Sequence, residues 1–450
     1  MSDDVEESTH ETEGGRLARL PLPSFLVGSA ASLVLTTGLT SGLGFVFWAL
    51  GARLFSTGDL GEAATAISAM NLISTLAMLG LGTLLVARLP AMRTGRRELL
   101  VTAALLSAVA GAVLALVVAL ALPMSMTGLP GVGDQVFPTA VFAAGVGVNT
   151  TGVVLDQALL SMLGGGPQLG RNIVLTVSKL LLLAAIAVLV ASSGSVGIYG
   201  SWLVGNLLSL VALTLWVARR QEVRLRSVRP RLSSIRGLAL ESVWHHSLNL
   251  ALATPYFALP IVASAVLGSV SAGHLYAVLQ VAFGVFMLPL ALSTALFASG
   301  SRDASEFVDE FRFTLRVSVA ACLAANVVLA PLAGVVLQLF GSDYAREGRT
   351  ALILIALAGF GVLVRDHHVS VARVTGHVGR ESALLGGFTV IELVAAATGA
   401  RLGGLTGLAV GWVLVMAVEL MVLTPRVAAV YRRRASVPAA APVEPVVHTA

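Results

Sequence analysis

Apolar residues run through this chain in stretches of about twenty, separated by short segments that carry arginine, glycine or proline. A helix needs about 20 apolar residues to cross the hydrocarbon core of a bilayer. The pattern therefore predicts an all-α polytopic membrane protein with twelve transmembrane helices. The predicted spans are 24–50, 63–87, 98–122, 137–161, 172–193, 196–218, 237–267, 272–299, 313–340, 348–372, 381–400 and 404–430.

The basic residues indicate how these helices are oriented. With a cytoplasmic N-terminus, 23 of the 29 basic residues fall on the cytoplasmic side of the predicted helices. Only four fall on the opposite side: Arg53, Arg346, Arg349 and Arg401. Lysine and arginine in short connections remain in the cytoplasm. The distribution predicts a multi-pass protein with both termini in the cytoplasm.

The longest cytoplasmic connection carries seven arginines and divides the predicted helices into two groups of six. The acidic start and the tail rich in Ala, Pro and Val are typical of disordered ends. The predicted organisation is an acidic disordered N-terminus (1–20), an N-lobe (21–218), an Arg-rich linker (219–236), a C-lobe (237–432) and a disordered tail (433–450).

The two groups of helices show a weak internal repeat. Gly61 aligns with Gly273 at an offset of 212 residues, and Asp156 aligns with Asp366 at an offset of 210. Because each group has an even number of spans, both enter the membrane from the same side. The repeat predicts two lobes related by an axis along the membrane normal.

Helix-breaking residues occur at corresponding positions of the first and seventh spans. Gly42 and Gly44 lie in the first, while Pro255 and Pro260 lie in the seventh. Breaks at equivalent positions of two halves point to a transporter site, so these four residues are candidate hinges. Ordinary close packing by glycine and tolerated proline is the alternative interpretation.

Composition excludes several classes of protein. The chain is 56% hydrophobic and 12% charged, which argues against a soluble enzyme or a nucleic-acid-binding protein. Its net charge of +5 is explained by arginines facing a membrane surface. The single cysteine, Cys322, precludes an intramolecular disulfide. The sequence contains no Walker A motif or other catalytic constellation, so we expect neither an enzyme nor a cofactor.

Charged residues inside the predicted spans are candidate functional groups because burying them is costly. Asp156 and Lys179 flank one hairpin at similar depth, which leaves open an ion pair between them or a ligand-binding role for Lys179. Arg365 lies too deep to reach the membrane surface comfortably, and Glu392 on the next span is its expected partner.

Two further acids and two histidine pairs complete this set. Asp366 and Glu419 are candidate ion-coupling carboxylates, although Glu419 could equally hydrogen-bond to a neighbouring helix. Adjacent histidines diverge on a helix, so His245-His246 and His367-His368 do not predict a metal site. Histidine titrates near neutral pH, which favours a role in protonation instead.

Three segments of the chain resemble a known family. The stretches 52–90 (ARLFSTGDLGEAATAISAMNLISTLAMLGLGTLLVARLP), 155–180 (LDQALLSMLGGGPQLGRNIVLTVSKL) and 372–412 are similar to bacterial oligosaccharide flippases of the polysaccharide transporter family. Their superfamily also holds multidrug and toxin extrusion antiporters. The resemblance implies two six-helix lobes around a central cavity that opens to one side at a time, in the bacterial cytoplasmic (inner) membrane.

The resemblance also implies a substrate. It would be a polyprenyl-diphosphate-linked oligosaccharide, a precursor of polysaccharide or lipopolysaccharide, made by glycosyltransferases and used by a polymerase. We expect Lys179 and Arg365 to contact the diphosphate and Asn71, Asn149 and Gln280 to contact the sugar. Two buried cations are few for the negative charge of a diphosphate.

Two alternatives to a flippase remain. One is a cation-coupled multidrug antiporter of the same superfamily, in which the membrane acids Asp156, Asp366, Glu392 and Glu419 would matter more than the cations. The other is a non-transporting membrane scaffold or a glycan-assembly enzyme.

Overall fold

A computed structural model describes most of the helical part of the chain. The described residues are 38, 41–90, 92, 94–163, 165–190, 192–221, 230–231, 240–300 and 306–433. Their regular structure is helical throughout, and no strand occurs within these ranges. The predicted disordered ends and nearly all of the Arg-rich linker lie outside the described residues.

The described residues of the N-lobe form eight helices. They are α1 (Ser41–Leu54), α2 (Thr57–Ala77), α3 (Leu81–Arg88), α4 (Arg96–Ala121), α5 (Met124–Thr127), α6 (Val136–Leu163), α7 (Gly165–Leu189) and α8 (Gly194–Gln221).

The C-lobe forms seven helices within the described ranges. They are α9 (Leu240–Leu267), α10 (Ser269–Gly300), α11 (Phe307–Leu337), α12 (Ser342–Leu357), α13 (Gly359–Val374), and α14 (378–402) and α15 (405–431) within the segment Val378–Tyr431. The last two separate at Gly403 and Gly404, whose backbone is not helical.

Each of the twelve predicted spans coincides with helix in the described part of the chain, and two of them are broken. The second span divides into α2 and α3 at Leu79 and Gly80, which have positive φ angles of 48° and 76°. The tenth span divides into α12 and α13 at Ala358. Nine of the described helical segments are long and apolar enough to cross a membrane. The chain is a multi-pass membrane protein.

Small residues allow α14 and α15 to pack as a tight hairpin. A methyl group on Gly399 would overlap the Gly407 carbonyl group, and one on Gly411 would lie 2.8 Å from the Ala395 carbonyl carbon. Without side chains at these points the two backbones come into direct contact, which is the usual way that membrane helices approach closely.

The candidate hinge residues lie within continuous helix. Pro255 and Pro260 are inside α9, which runs through both. Gly42 and Gly44 are in α1, where an added methyl group would meet open space. Neither glycine is required for close packing against a described neighbour, so their role as hinges stays a prediction.

Candidate functional site

The C-lobe holds a group of buried charges around one arginine. Arg365 projects from α13, and its Nη1 lies 3.5 Å from Glu392 Oε1 of α14 and 3.8 Å from Glu419 Oε2 of α15. Both glutamate side chains are fully buried. The predicted pairing of Arg365 with Glu392 is confirmed, and Glu419 joins it. We call Arg365, Asp366, Glu392 and Glu419 the C-lobe charge cluster.

The two glutamates of the cluster are held differently. Trp412 Nε1 donates a hydrogen bond of 2.7 Å to Glu392 Oε2, which together with Arg365 satisfies both oxygens of that carboxylate. Neither oxygen of Glu419 makes a hydrogen bond with a described residue. One guanidinium therefore faces two carboxylates, and the second is short of donors. A buried carboxylate in this position calls for a proton or another cation.

A cavity of about 230 Å³ borders the cluster. Arg365 and Asp366 line it from α13, Asn249 and Tyr256 line it from α9, and apolar side chains of α10 form much of the remainder. Arg365 Nε and Asp366 Oδ2 are buried here without a hydrogen-bond partner among the described residues. The cavity thus combines apolar walls with two polar groups that a water molecule or small ligand could satisfy.

The N-lobe pairs its buried acid with an arginine and not with Lys179. Asp156 of α6 accepts hydrogen bonds of 2.6 Å from Arg171 Nε and 2.5 Å from Arg171 Nη2 of α7. Arg171 Nη1 also donates to Ser209 Oγ of α8 at 3.1 Å. The possible Asp156–Lys179 ion pair is wrong, because the fork of a guanidinium matches both oxygens of a carboxylate. The sequence prediction placed Arg171 in a connection, just outside the helix.

Lys179 lies instead among aromatic rings. Its Nζ is 3.5 Å from the centre of a Trp202 ring and 4.9 Å from the centre of the Phe47 ring. The side chain is 4% exposed. Within the described ranges no aspartate or glutamate forms an ion pair with it. We call Phe47 and Trp202 the aromatic cage of Lys179.

The three predicted sugar-binding residues do not come together as a set. Asn149 Nδ2 donates to Asn71 Oδ1 at 3.1 Å and to Ser74 Oγ at 3.0 Å, which joins α6 to α2 inside the N-lobe. Gln280 lies half-buried in α10 of the other lobe. The pair Asn71–Asn149 is accounted for by helix packing, and a sugar-binding role for any of the three stays a prediction.

The two lobes meet closely at one end of the molecule. A methyl group on Gly61 of α2 would lie 2.7 Å from the carbonyl carbon of Ser269 and 2.8 Å from the nitrogen of Gly273 in α10. One on Gly273 would lie 2.7 Å from the Thr57 carbonyl oxygen. The glycines that align in the repeat therefore cross each other between the lobes. We call this region the sealed end.

Further contacts between the lobes reinforce the sealed end. Arg53, near the end of α1, donates hydrogen bonds to the carbonyl oxygens of Gln338 and Leu339, just past the C-terminus of α11. These carbonyls are left without helical partners and attract a cation. Nearby, the rings of Trp48 and Tyr276 are 4.3 Å apart between centres. The arginine distribution predicts that this end faces outward.

A second polar cluster lies at the opposite end of the C-lobe and was missed from the sequence. His368 Nε2 lies 2.8 Å from Glu381 Oε2, and Arg426 Nη1 lies 3.1 Å from the same oxygen. These contacts of Glu381 join α13 to α14 and α15. Among the residues that the structure describes, no three His, Cys, Asp or Glu side chains are grouped in a way that could hold a metal ion.

Comparison with known proteins identifies the fold. No protein-family model matches the sequence, and no curated protein matches it either. The chain is similar to a multidrug resistance MATE family transporter of the MOP superfamily in its inward-facing conformation (TM-score 0.64, 16% identity, 90% of this chain and 99% of that chain). Its likeness to an outward-facing conformation of such a transporter is equal (TM-score 0.64, 15% identity, 95% and 100%).

A third solved structure broadens the comparison. It is a MOP superfamily transporter from Pyrococcus furiosus, for which a reverse polarity of the binding pocket suggests a different function (TM-score 0.61, 14% identity, 95% and 100%). At these identities the likeness establishes the fold alone. The chain has the two-lobed helical fold of MATE transporters, as expected. A specific kinship with oligosaccharide flippases receives no support from these structures.

Proposed function

We propose that the protein is an alternating-access transporter that exchanges amphipathic organic molecules for protons across the bacterial cytoplasmic membrane. The observation that carries this proposal is Glu419, a fully buried carboxylate that shares Arg365 with Glu392 and has no hydrogen-bond donor of its own among the described residues. Such a group is neutral when it holds a proton and costly when it does not. Proton binding there would favour one arrangement of the helices over another.

The fold and the sealed end support the transport cycle. Structures with this fold exist in inward-facing and outward-facing conformations. The close crossing of Gly61 and Gly273 corresponds to a state closed at the end that we assign to the outside. Separation of the lobes at this crossing would open the other state.

A transport assay with a trapped pH indicator tests the proposal. Proteoliposomes would receive a gradient of 1-naphthalenesulfonate or of 1-naphthyltrimethylammonium, two probes with one ring system and opposite charges. In the wild type we expect the movement of at least one probe down its gradient to drive protons across the membrane in the opposite direction. We expect Glu419→Gln to carry that probe across the membrane without moving protons. Glu98→Gln, half-exposed at the start of α4, is the matched control.

Two results would overturn the proposal. One is proton movement in Glu419→Gln equal to that in the wild type. The other is absence of coupled proton movement with both probes. Repeating the assay with a trapped sodium indicator in place of the pH indicator distinguishes the proton from the sodium ion as the coupling ion.

A flippase for polyprenyl-diphosphate-linked oligosaccharides is a second candidate, and Lys179 favours it, because that ammonium has no carboxylate partner among the described residues. Arg365 weakens it, because two glutamates already surround the other proposed diphosphate ligand. Deletion of the gene provides the test. Lipid-linked repeat units would accumulate on the cytoplasmic leaflet, whereas unchanged glycan export in a strain without a second flippase would exclude this function.

A further inference from the structure

The buried ammonium of Lys179 occupies the place that an organic cation would take in an aromatic site. Aromatic faces attract cations, and this attraction is strongest when the cation is desolvated. The Lys179 ammonium lies over Trp202 at 3.5 Å and is almost fully buried. The N-lobe therefore contains a cation-binding aromatic cage that is filled by the chain itself.

No described acid balances the charge of Lys179. Asp156, the buried acid of the described N-lobe helices, is paired with Arg171, and the charges of these two cancel in a bidentate contact. Lys179 is 10 residues from the end of α7 at Leu189, or about 15 Å along the helix, so it lies well inside the membrane. An ammonium at this depth gains from an anionic partner that the described residues do not supply.

The cage reaches the boundary between the lobes. The Trp48 ring packs edge-on against the Phe47 ring, with 5.4 Å between the ring centres, and its centre lies 6.2 Å from that of Trp202. On its other side Trp48 contacts Tyr276 of the C-lobe at 4.3 Å. Because this last contact crosses the lobes, movement apart at the sealed end would withdraw Tyr276 and uncover the rings around Lys179.

From these contacts we infer that Lys179 selects the substrate by charge, admitting a molecule with an anionic group beside an apolar or aromatic body and rejecting organic cations. The inference rests on the proposed transport function and names its substrate class. An anionic group would pair with the ammonium, while the body of the substrate would pack on Trp202 and Phe47. An organic cation would meet both a filled cage and a like charge.

Binding of the two naphthalene probes to the purified protein in lipid nanodiscs tests this selection. The wild type is expected to bind 1-naphthalenesulfonate in preference to 1-naphthyltrimethylammonium. Lys179→Ala removes the charge and vacates the cage. It is expected to weaken sulfonate binding by about tenfold and to strengthen trimethylammonium binding by about tenfold.

The opposite changes in affinity for the two probes distinguish selection by charge from a structural role of Lys179. Loss of a merely structural contact would weaken binding of both probes, and that outcome overturns the inference. Lys179→Arg keeps the charge and is expected to retain the wild-type preference. Lys179→Gln provides a second neutral variant in case Lys179→Ala does not fold, and an unchanged preference in a folded neutral variant also overturns the inference.

The anionic group could belong to a soluble molecule or to a lipid. Undecaprenyl diphosphate added to the nanodiscs, compared with neutral undecaprenol, distinguishes these sources. Selective competition by the diphosphate would support a lipid headgroup, and sulfonate binding without such competition would support a soluble anion. Wild-type protein that binds neither the sulfonate nor the diphosphate refutes the inference for both.

The binding assay and the proton assay can fail separately. If only the trimethylammonium probe binds and it drives protons, the transport proposal stands and the role of Lys179 is wrong. If the sulfonate binds in a Lys179-dependent manner but no probe moves protons, the charge selection stands and proton coupling is wrong.

Discussion

The crossing of Gly61 with Gly273 leads to a quantitative prediction about the sealed end. In Gly61→Ala the new methyl carbon would lie 2.7 Å from the Ser269 carbonyl carbon, whereas carbon atoms normally approach to about 3.5 Å. The backbone of α10 cannot rotate away as a side chain can. The Ser269 carbonyl oxygen would lie closer still, so the two helices must separate by more than about 1 Å, and we expect the closed arrangement to lose about 2 kcal/mol. That loss corresponds to about a thirtyfold shift toward the open arrangement.

Labelling of a cysteine beneath the sealed end measures this shift. Ala277 lies one turn further along α10 from Gly273 and is 1% exposed. With Ala277→Cys in a Cys322→Ser background, a membrane-impermeant maleimide added outside should react about thirtyfold faster when Gly61→Ala is also present. Gly273→Ala should have a similar effect, since its methyl group would meet the Thr57 carbonyl oxygen at 2.7 Å.

Two controls make the result decisive. Gly284→Ala changes the same helix where an added methyl group meets nothing within 4 Å, so it should not alter labelling. The natural Cys322 is buried, so Gly61→Ala in the otherwise native chain should stay unlabelled unless the protein unfolds. Equal labelling of Gly61→Ala and Gly284→Ala would refute the claim that this crossing closes the lobes.

Two further substitutions probe buried contacts by thermal unfolding of the purified protein. Arg171→Met leaves the Asp156 carboxylate buried without its partner and should lower the free energy of unfolding by about 3 kcal/mol. Adding Asp156→Asn should recover part of this loss. An unchanged unfolding temperature would show that the pair contributes nothing. Gly411→Ala would press a methyl group against the Ala395 carbonyl and should destabilise the α14–α15 hairpin by about 1–3 kcal/mol. Gly386→Ala is the control, because its methyl group would meet open space and should not change stability. Equal effects of the two substitutions would contradict the close packing.

The positions of the spans were predictable because bilayer thickness sets their length. A span of about 20 apolar residues is required whatever the helices pack against. The breaks within two spans were not predictable from hydropathy. At Leu79 and Gly80 the chain takes up left-handed backbone conformations, and the apolar pattern continues through them unchanged. Hydropathy therefore predicts where the chain crosses the membrane but not where a crossing helix is interrupted.

The sequence predicted one ion pair correctly and left open another that is wrong. Glu392 was identified as the partner of Arg365 because it is an acid on the next span, and the structure joins them. Similar depth allowed Asp156 to pair with Lys179, but the direction of a side chain around its helix also matters. Helix α7 begins at Gly165, about two turns before its predicted boundary, so Arg171 lies inside the helix, and its guanidinium reaches both oxygens of Asp156.

The aligned acids of the repeat show how two similar lobes come to differ. Asp156 is neutralised by Arg171, whereas Asp366 keeps one oxygen without a partner and borders a cavity. Among the described residues the N-lobe is left with an ammonium at Lys179 that has no carboxylate partner, and the C-lobe is left with a surplus carboxylate at Glu419. Opposite charges in the two lobes suit different partners. Under the proposed function an anionic substrate and a proton would bind in separate lobes, and rocking of the lobes would couple them without direct contact between the two ligands.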